Sequence, residues 1–463
     1  MADQKQTQLF ENRKYDDREY IQYLTELLEL QNFPKLRAEL EDDNEVDIAN
    51  FLDTLSDEKI ALVFRMLPKD MGAEVFAHLS PEAQYNVAHA FSDAETTQLV
   101  AELFVDDAVD FLEEMPANLV TRVLRLTSPQ KRQTINRILQ YPENSAGSIM
   151  TTEYTSFRKN MTVGESLEYL RRFGHNKETI YTCYVTNPSR ILEGVISVKT
   201  LLLADDSEII ADLMDTDVIS AHTSDDQENV ALLFHKYDFL AVPVVDIENR
   251  LVGIITVDDA VDVIQAETTE DFAKMAAVGP YETAYMKSSI WNMGRNRIVW
   301  LLILMVSAIF SGLIIQNFEG ALLLYPILFS FVPMLTAAGG NVGAQSSTLI
   351  IRGMAVGEIN FRDIAKVIWK EFRVGILLGL ALAIINFLRI VIFYDNLLIA
   401  IVLSASMFFT VVLAAAIGCS LPMLAKAVNI DPAIMATPFI TTLVDLTALM
   451  VYFLIATALL PGL

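Results

Sequence analysis

Five stretches of the chain, near 298–316, 321–350, 372–393, 397–424 and 436–460, are long and apolar enough to cross a bilayer. The hydrocarbon layer is roughly 30 Å thick and takes about 20 helical residues. Backbone polar groups in lipid must be satisfied internally, so residues 295–463 are confined to a bundle of helices. Charge divides the chain at the same place. Residues 291–463 hold nine Lys/Arg and seven Asp/Glu, so 25 of the 34 basic and 52 of the 59 acidic residues lie in the first 290, a net of −27 there. A surplus of that size disfavours nucleic acid and anionic headgroups and favours cations or basic proteins. The two cysteines, Cys183 and Cys419, exclude a disulfide scaffold and a thiolate cluster and suit a reducing compartment. The first 30 residues lack the apolar core of a secretory signal, which places the amino terminus in the cytoplasm.

Basic residues orient the spans. Arg295 and Arg297 precede the first, and Arg352, Arg362, Lys366, Lys370 and Arg373 crowd the loop between the second and third, while 317–320 and 394–396 carry no Lys or Arg. These positions predict a multi-pass protein of the cell membrane with its carboxyl terminus outside. Arg389 fits poorly and is expected to snorkel to the outer interface. The second span contains Pro326, Pro333 and the run Gly339-Gly340-Asn341-Val342-Gly343-Ala344-Gln345, and is expected to be kinked or unwound where it faces protein or a water-filled path. Ile364, Val367, Ile368 and Phe372 recur at helical spacing, which predicts an amphipathic helix on the inner surface.

The last span carries a carboxylate. Asp445 stands about nine residues, roughly 14 Å, past the start of the helix, near the bilayer midplane. A charge there costs on the order of 2.5–3.5 kcal/mol and requires compensation. Thr441 and Thr442 share its face. One reading is a structural carboxylate bonded to a neighbouring helix or kept neutral. The other is a site for a mobile cation, since no lysine or histidine is embedded beside it. Asn341, Gln345, Ser346 and Ser347 either add neutral oxygens or bond helices together. Oxygen-only lining favours a hard ion, Mg²⁺ or Ca²⁺, and two aspartates about a dimer axis would balance a divalent charge. A wide site with few carboxylates suits Mg²⁺, which gives up water reluctantly.

In the acidic part, Leu55, Leu67, Leu79 and Phe91 stand twelve apart, each followed by Ser or Pro and an acid. That spacing predicts stacked short helices forming a superhelix. Asp106, Asp107, Asp110, Glu113 and Glu114 place like charges on one helical face, either solvated or offset by an ion. Residues 144–271 read as two copies of one unit beginning at Met150 and Met214, with strands at Gly194–Ser197 and Gly253–Thr256. They resemble a pair of cystathionine-β-synthase (CBS) domains. In that family a Gly, two apolar residues, Ser or Thr, and an Asp three residues on bind an adenosine ribose, which implies Thr256 and Asp259 as a site for ATP or another adenine nucleotide. The first copy has Thr200 in place of the Asp. The segment VDDAVDVIQAETTEDF then places Asp258, Asp259, Asp262, Glu267, Glu270 and Asp271 along a helix running toward the membrane, an ion sensor or an acidic linker.

Together with GGNVGAQ, Asp431-Pro432, Asp445 and the junction YPENSAGSIMT, these features resemble the MgtE family of magnesium channels. The resemblance implies a multidomain chain. Residues 1–40 form a terminal segment, 41–142 an α-superhelical domain, 143–208 and 209–265 α+β tandem CBS domains, 266–294 a connecting (plug) helix, and 295–463 an all-α five-helix transmembrane domain. It further implies a homodimer in the lipid bilayer whose axial pore selects hydrated Mg²⁺ at Asp445, with Asn341 and Thr441 beside it. Cytoplasmic Mg²⁺ would hold that pore shut by bridging Glu74, Asp106, Asp110, Asp258, Asp259, Asp262, Glu267, Glu270 and Asp271. Two rivals remain open: a proton- or sodium-coupled carrier, and a CBS-based membrane sensor that transports nothing. No phosphate loop or paired nucleophile and base appears, so no enzyme activity is expected.

Overall fold

The computed structural model describes residues 17–279, 288–428, 430–435 and 437–460. The first 16 residues of the terminal segment and 280–287 of the connecting segment lie outside the described residues. The chain divides into two compact units, one ending at Ile264 and the other beginning at Gln265.

The first unit opens with short helices: α1 (Asp17–Glu29), α2 (Phe33–Glu41), α3 (Glu45–Leu52), α4 (Asp57–Phe64), α5 (Lys69–Ala77), α6 (Pro81–Ala90), α7 (Asp93–Glu102), α8 (Val105–Glu113), α9 (Ala117–Leu126) and α10 (Pro129–Ile138). The twelve-residue spacing marks their ends. Leu55, Leu67, Leu79 and Phe91 follow α3, α4, α5 and α6, and their backbone N–H groups donate to the last carbonyls of those helices. Starts are set by the residues that follow: Ser92 closes a capping box with Glu95, Ser128 accepts from Lys131, and Pro81 occupies the first turn of α6. Two-turn helices cannot hold themselves in water, so they are held by one continuous core. Phe64, Phe76, Phe91 and Phe111 pass edge-on contacts along it, with centroids 5.0–6.1 Å apart.

Two three-stranded sheets follow, β1 (Ser156–Phe157), β2 (Thr182–Thr186) and β3 (Leu192–Ser197), then β4 (Ala221–His222), β5 (Ala241–Val245) and β6 (Leu251–Thr256). Each has a parallel first pair and an antiparallel second pair. Helices α11 (Val163–Phe173) and α12 (Val198–Leu203) belong to the first copy, α13 (Ile210–Leu213) joins the two, and α14 (Gln227–Tyr237) belongs to the second, which runs into α15 (Val257–Met275). The two copies exchange their opening segments. Asp215 bridges Val195 in the first sheet and Thr151 bridges Ile254 in the second. This exchange explains Gly194 and Gly253. A Cβ at Gly194 would lie 2.7 Å from Met214 Sδ, and one at Gly253 would lie 2.6 Å from Met150 Sδ.

The second unit contains α16 (Ile290–Asn317), α17 (Glu319–Leu324), a 3-10 turn at Pro326–Phe331, α18 (Val332–Ala355), α19 (Ile364–Tyr394), α20 (Leu397–Ala427), a second 3-10 turn at Pro432–Met435, and α21 (Thr437–Leu459). Among the described residues, five helical segments are long and apolar enough to span a bilayer. One sequence expectation is met in part and one is corrected here. The second span is broken as expected, but at Tyr325–Pro326 and not at its glycine run, and α18 passes unbroken through Gly339, Gly340 and Gly343. Those glycines serve packing, since a Cβ at Gly339 would lie 2.8 Å from Thr410 and 2.9 Å from Val444. Nor is there a separate amphipathic surface helix. Residues Ile364–Phe372 are the first turns of α19, and Ile364, Val367 and Ile368 pack on Ile350, Met354, Cys419 and Met423. Arg389 stands over the Phe331 ring and donates to Met334 Sδ.

Helices α18 and α20 cross backbone to backbone, where a Cβ on Gly418 would strike the Gly343 backbone. Gly418→Ala is therefore expected to cost about 1–3 kcal/mol by overpacking. Gly312→Ala on α16, with nothing within 4 Å, should be neutral or stabilising. Thermal unfolding of the two variants in detergent checks the contrast.

Candidate functional site

Asp445 lies on α21, half-buried. Among the described residues its carboxylate has neither a hydrogen-bond partner nor a charged neighbour. It faces α18 where that helix has no side chain: a Cβ at Gly340 would lie 3.7 Å from Asp445 Oδ1 and 3.3 Å from Thr441 Cγ2. Glycine there leaves space in front of the carboxylate. Thr441 and Thr442 both donate to the Pro438 carbonyl, so their oxygens keep lone pairs free to accept or ligate. Ser346 donates to Glu371 at 2.7 Å and Ser347 to the Met435 carbonyl at 3.0 Å, so these hydroxyls bond neighbouring segments. Asn341 and Gln345 are exposed in the single chain.

In the first unit, folding gathers acids that the sequence scatters. Asp106 and Asp107 occupy the first turn of α8, and Asp258 and Asp259 the first turn of α15, where the positive end of each helix dipole offsets part of their charge. Asp106 is buried and its Oδ1 has no partner. Burial, then the charges of Asp107, Asp259, Glu178 and Glu153, holds its carboxyl well above the ordinary range. Desolvation, then Asp259 and Asp107, pushes Asp110 up to about 7. Glu178 rises to about 8, through burial and then the charges of Asp107, Asp259 and Asp258. Asp259 rises to about 6 through burial, although it accepts a 2.7 Å bond from Thr256. Lys131 lies among them, donating to the Leu103 carbonyl, its ammonium pushed down by burial and supported by Glu153, Asp106 and Asp107.

Asp106, Asp110, Asp258, Asp259 and Asp262 are therefore brought into one electrostatic cluster. Glu74 is exposed on α5. Sequence reasoning missed Glu153, Glu178 and Lys131, which lie outside the acidic runs and carry no local signal. In the second unit, Glu267, Glu270 and Asp271 stand on the last turns of α15. Burial, then the Asp431 charge, raises the Asp271 carboxyl. Among the described residues no three His, Cys, Asp or Glu side chains already converge at metal-holding distance. The clusters thus hold charge that an ion would have to draw together.

Comparison with known proteins matches three parts of the chain: a divalent cation transporter domain, MgtE, at 332–455, the MgtE intracellular N domain at 43–144, and a CBS domain at 210–266, which is the second copy. The magnesium transporter MgtE of Thermus thermophilus is 38% identical over 444 residues, 95% of this chain and 98% of that protein. The magnesium transporter MgtE of Bacillus subtilis is 34% identical over 424 residues, 89% of this chain and 94% of that protein. The solved cytosolic domain of the Mg²⁺ channel MgtE in complex with ATP matches with a TM-score of 0.50 and 39% identity, over 52% of this chain and 98% of that one.

Proposed function

The chain belongs to the MgtE family of membrane magnesium transporters, and on that premise we propose that it is a homodimeric channel that admits Mg²⁺ to the cell and is closed by Mg²⁺ on its cytoplasmic side. The observation that carries the reading is the Asp445 carboxylate, set in an apolar helix, without a fixed cation, against a glycine backbone. A hydrated divalent ion shared by two such carboxylates offsets their desolvation, and the threonine oxygens accept from its water shell. Asn341, exposed in one protomer, would meet the ion or the second copy at the axis. The spans run with the amino terminus inside and the carboxyl terminus outside, as their basic flanks require. The domain limits are those set out for the sequence.

Closure follows from mass action. Carboxylates held above their ordinary range, two of them (Asp106 and Glu178) with an unpaired buried oxygen, gain most from an added cation. If n equivalent sites exist only in the compact arrangement and are near saturation, each tenfold rise in Mg²⁺ favours it by about 1.4n kcal/mol. We assign this sensing to Glu74, Asp106, Asp110, Asp258, Asp259 and Asp262, and to Glu267, Glu270 and Asp271 on the connecting helix. Thr256 and Asp259, already joined, would hold the ribose of an adenine nucleotide.

Mg²⁺ uptake into liposomes, followed at varied lumenal and bath Mg²⁺, tests the proposal. A channel conducts without a pH or Na⁺ gradient and slows at least tenfold as Mg²⁺ on the sensor face reaches millimolar levels. Flux that needs a gradient, or none at all, would overturn it.

A further inference from the structure

Near the end of α15, one basic side chain joins the connecting helix to the loop that leads into the Asp445 span. Lys274 Nζ lies 2.8 Å from Glu270 Oε1, one turn back on its own helix, and 2.6 Å from Asp431 Oδ2, 157 positions away. All three side chains are partly buried, with Lys274 only 24% exposed. The Asp431 carboxylate is oriented for this contact, because its Oδ1 accepts from the Ala433 N–H at 2.8 Å and leaves Oδ2 to the ammonium. Asp431 opens the 3-10 turn Pro432–Met435, and the last carbonyl of that turn accepts from Ser347 on α18. Seven residues earlier on α18, Gly340 faces Asp445. A continuous set of contacts thus runs from Lys274 to the backbone opposite the ion site.

We infer that Lys274 is a positioning residue: a tethered cation that fixes the connecting helix to the loop entering the last span without any free ion. The inference rests on the reading that the connecting helix carries the gate. A covalently attached ammonium acts at an effective concentration set by its tether, independent of bulk Mg²⁺. It offsets two of the four acids gathered there, Glu270 and Asp431, and Asp271 and Glu267 add to their negative charge. The cluster keeps net negative charge, so Mg²⁺ adds to a junction that lysine has already assembled.

The test is hydrogen exchange over residues 265–275 of the full-length protein in detergent with EDTA. Lys274→Gln is expected to raise exchange there at least tenfold, Lys274→Arg to restore protection by keeping the charge, and Asp431→Asn to match Lys274→Gln, with the double variant no worse than either. Millimolar Mg²⁺ should recover most of the protection in Lys274→Gln, and in liposomes this variant should need about tenfold more Mg²⁺ to close. Equal exchange in wild type and Lys274→Gln, failure of arginine to rescue, or additive loss in the double variant would overturn the assignment. A wild-type channel indifferent to Mg²⁺ would sink the gating reading instead, leaving the exchange data to decide the tie.

Discussion

Asp445→Ala is expected to abolish Mg²⁺ flux, by at least 100-fold, while the protein still folds and elutes at its native size. A divalent ion about 5 Å from one carboxylate gains roughly 7 kcal/mol at an effective dielectric of 20, and a 100-fold loss needs only about 2.7 kcal/mol of that. The fold should survive because Asp445 holds nothing in place: it has no hydrogen-bond partner or charged neighbour among the described residues. Its neighbours Val444 and Ala448 carry the packing of α21 and are buried. Asp445→Asn separates charge from shape and should lose most of the flux as well. Liposome uptake alongside size-exclusion chromatography checks both halves, and normal flux from Asp445→Ala would remove the ion site.

The second large effect is a reversal of sign. Asp106→Asn with Asp259→Asn should stabilise the metal-free protein, since both carboxyls are groups whose ionisation is opposed by burial and by neighbouring acids. The same pair should lose most of the stabilisation that Mg²⁺ gives to the wild type, and its channel should need at least tenfold more Mg²⁺ to close. Calorimetry with and without Mg²⁺ reads the reversal, and a loss of stability in both conditions would argue for a purely structural cluster. Proton linkage gives the same cluster a pH signature. Asp259, Asp110 and Glu178 titrate near 6, 7 and 8 in the fold, against about 4 when unfolded. Between pH 4 and 8 the folded chain therefore holds protons that the unfolded chain has released. Their stability contribution is full below about pH 4 and is lost as pH rises through these values. Without metal, the melting temperature should fall from pH 5 to pH 8. Mg²⁺ should flatten that slope by displacing the protons.

The expectations that succeeded and those that failed differ in the range of the forces behind them. The twelve-residue spacing marks helix ends because a two-turn helix and its cap take a fixed length of chain, whatever they pack against. The two strand-helix copies are legible for the same reason, their apolar strands being local. The second span breaks at Pro326 and not at Gly339, Gly340 and Gly343, although glycine weakens a helix in isolation. Here they admit Thr410, Val444 and Thr441 from other helices, and that close packing keeps α18 intact. Ile364, Val367 and Ile368 show the right periodicity, but a periodic face does not say whether lipid or protein will cover it.

The sequence by itself determined the five spans, the division of charge and the one carboxylate of the last span, because hydrophobic length and the cost of burying charge act on each segment alone. Only the tertiary structure decided that Glu153 and Glu178 join Asp106, that Lys274 reaches Asp431, and that Asp445 faces a bare backbone. Those facts depend on which distant segments meet, and Coulomb and packing energies are set by separation in space.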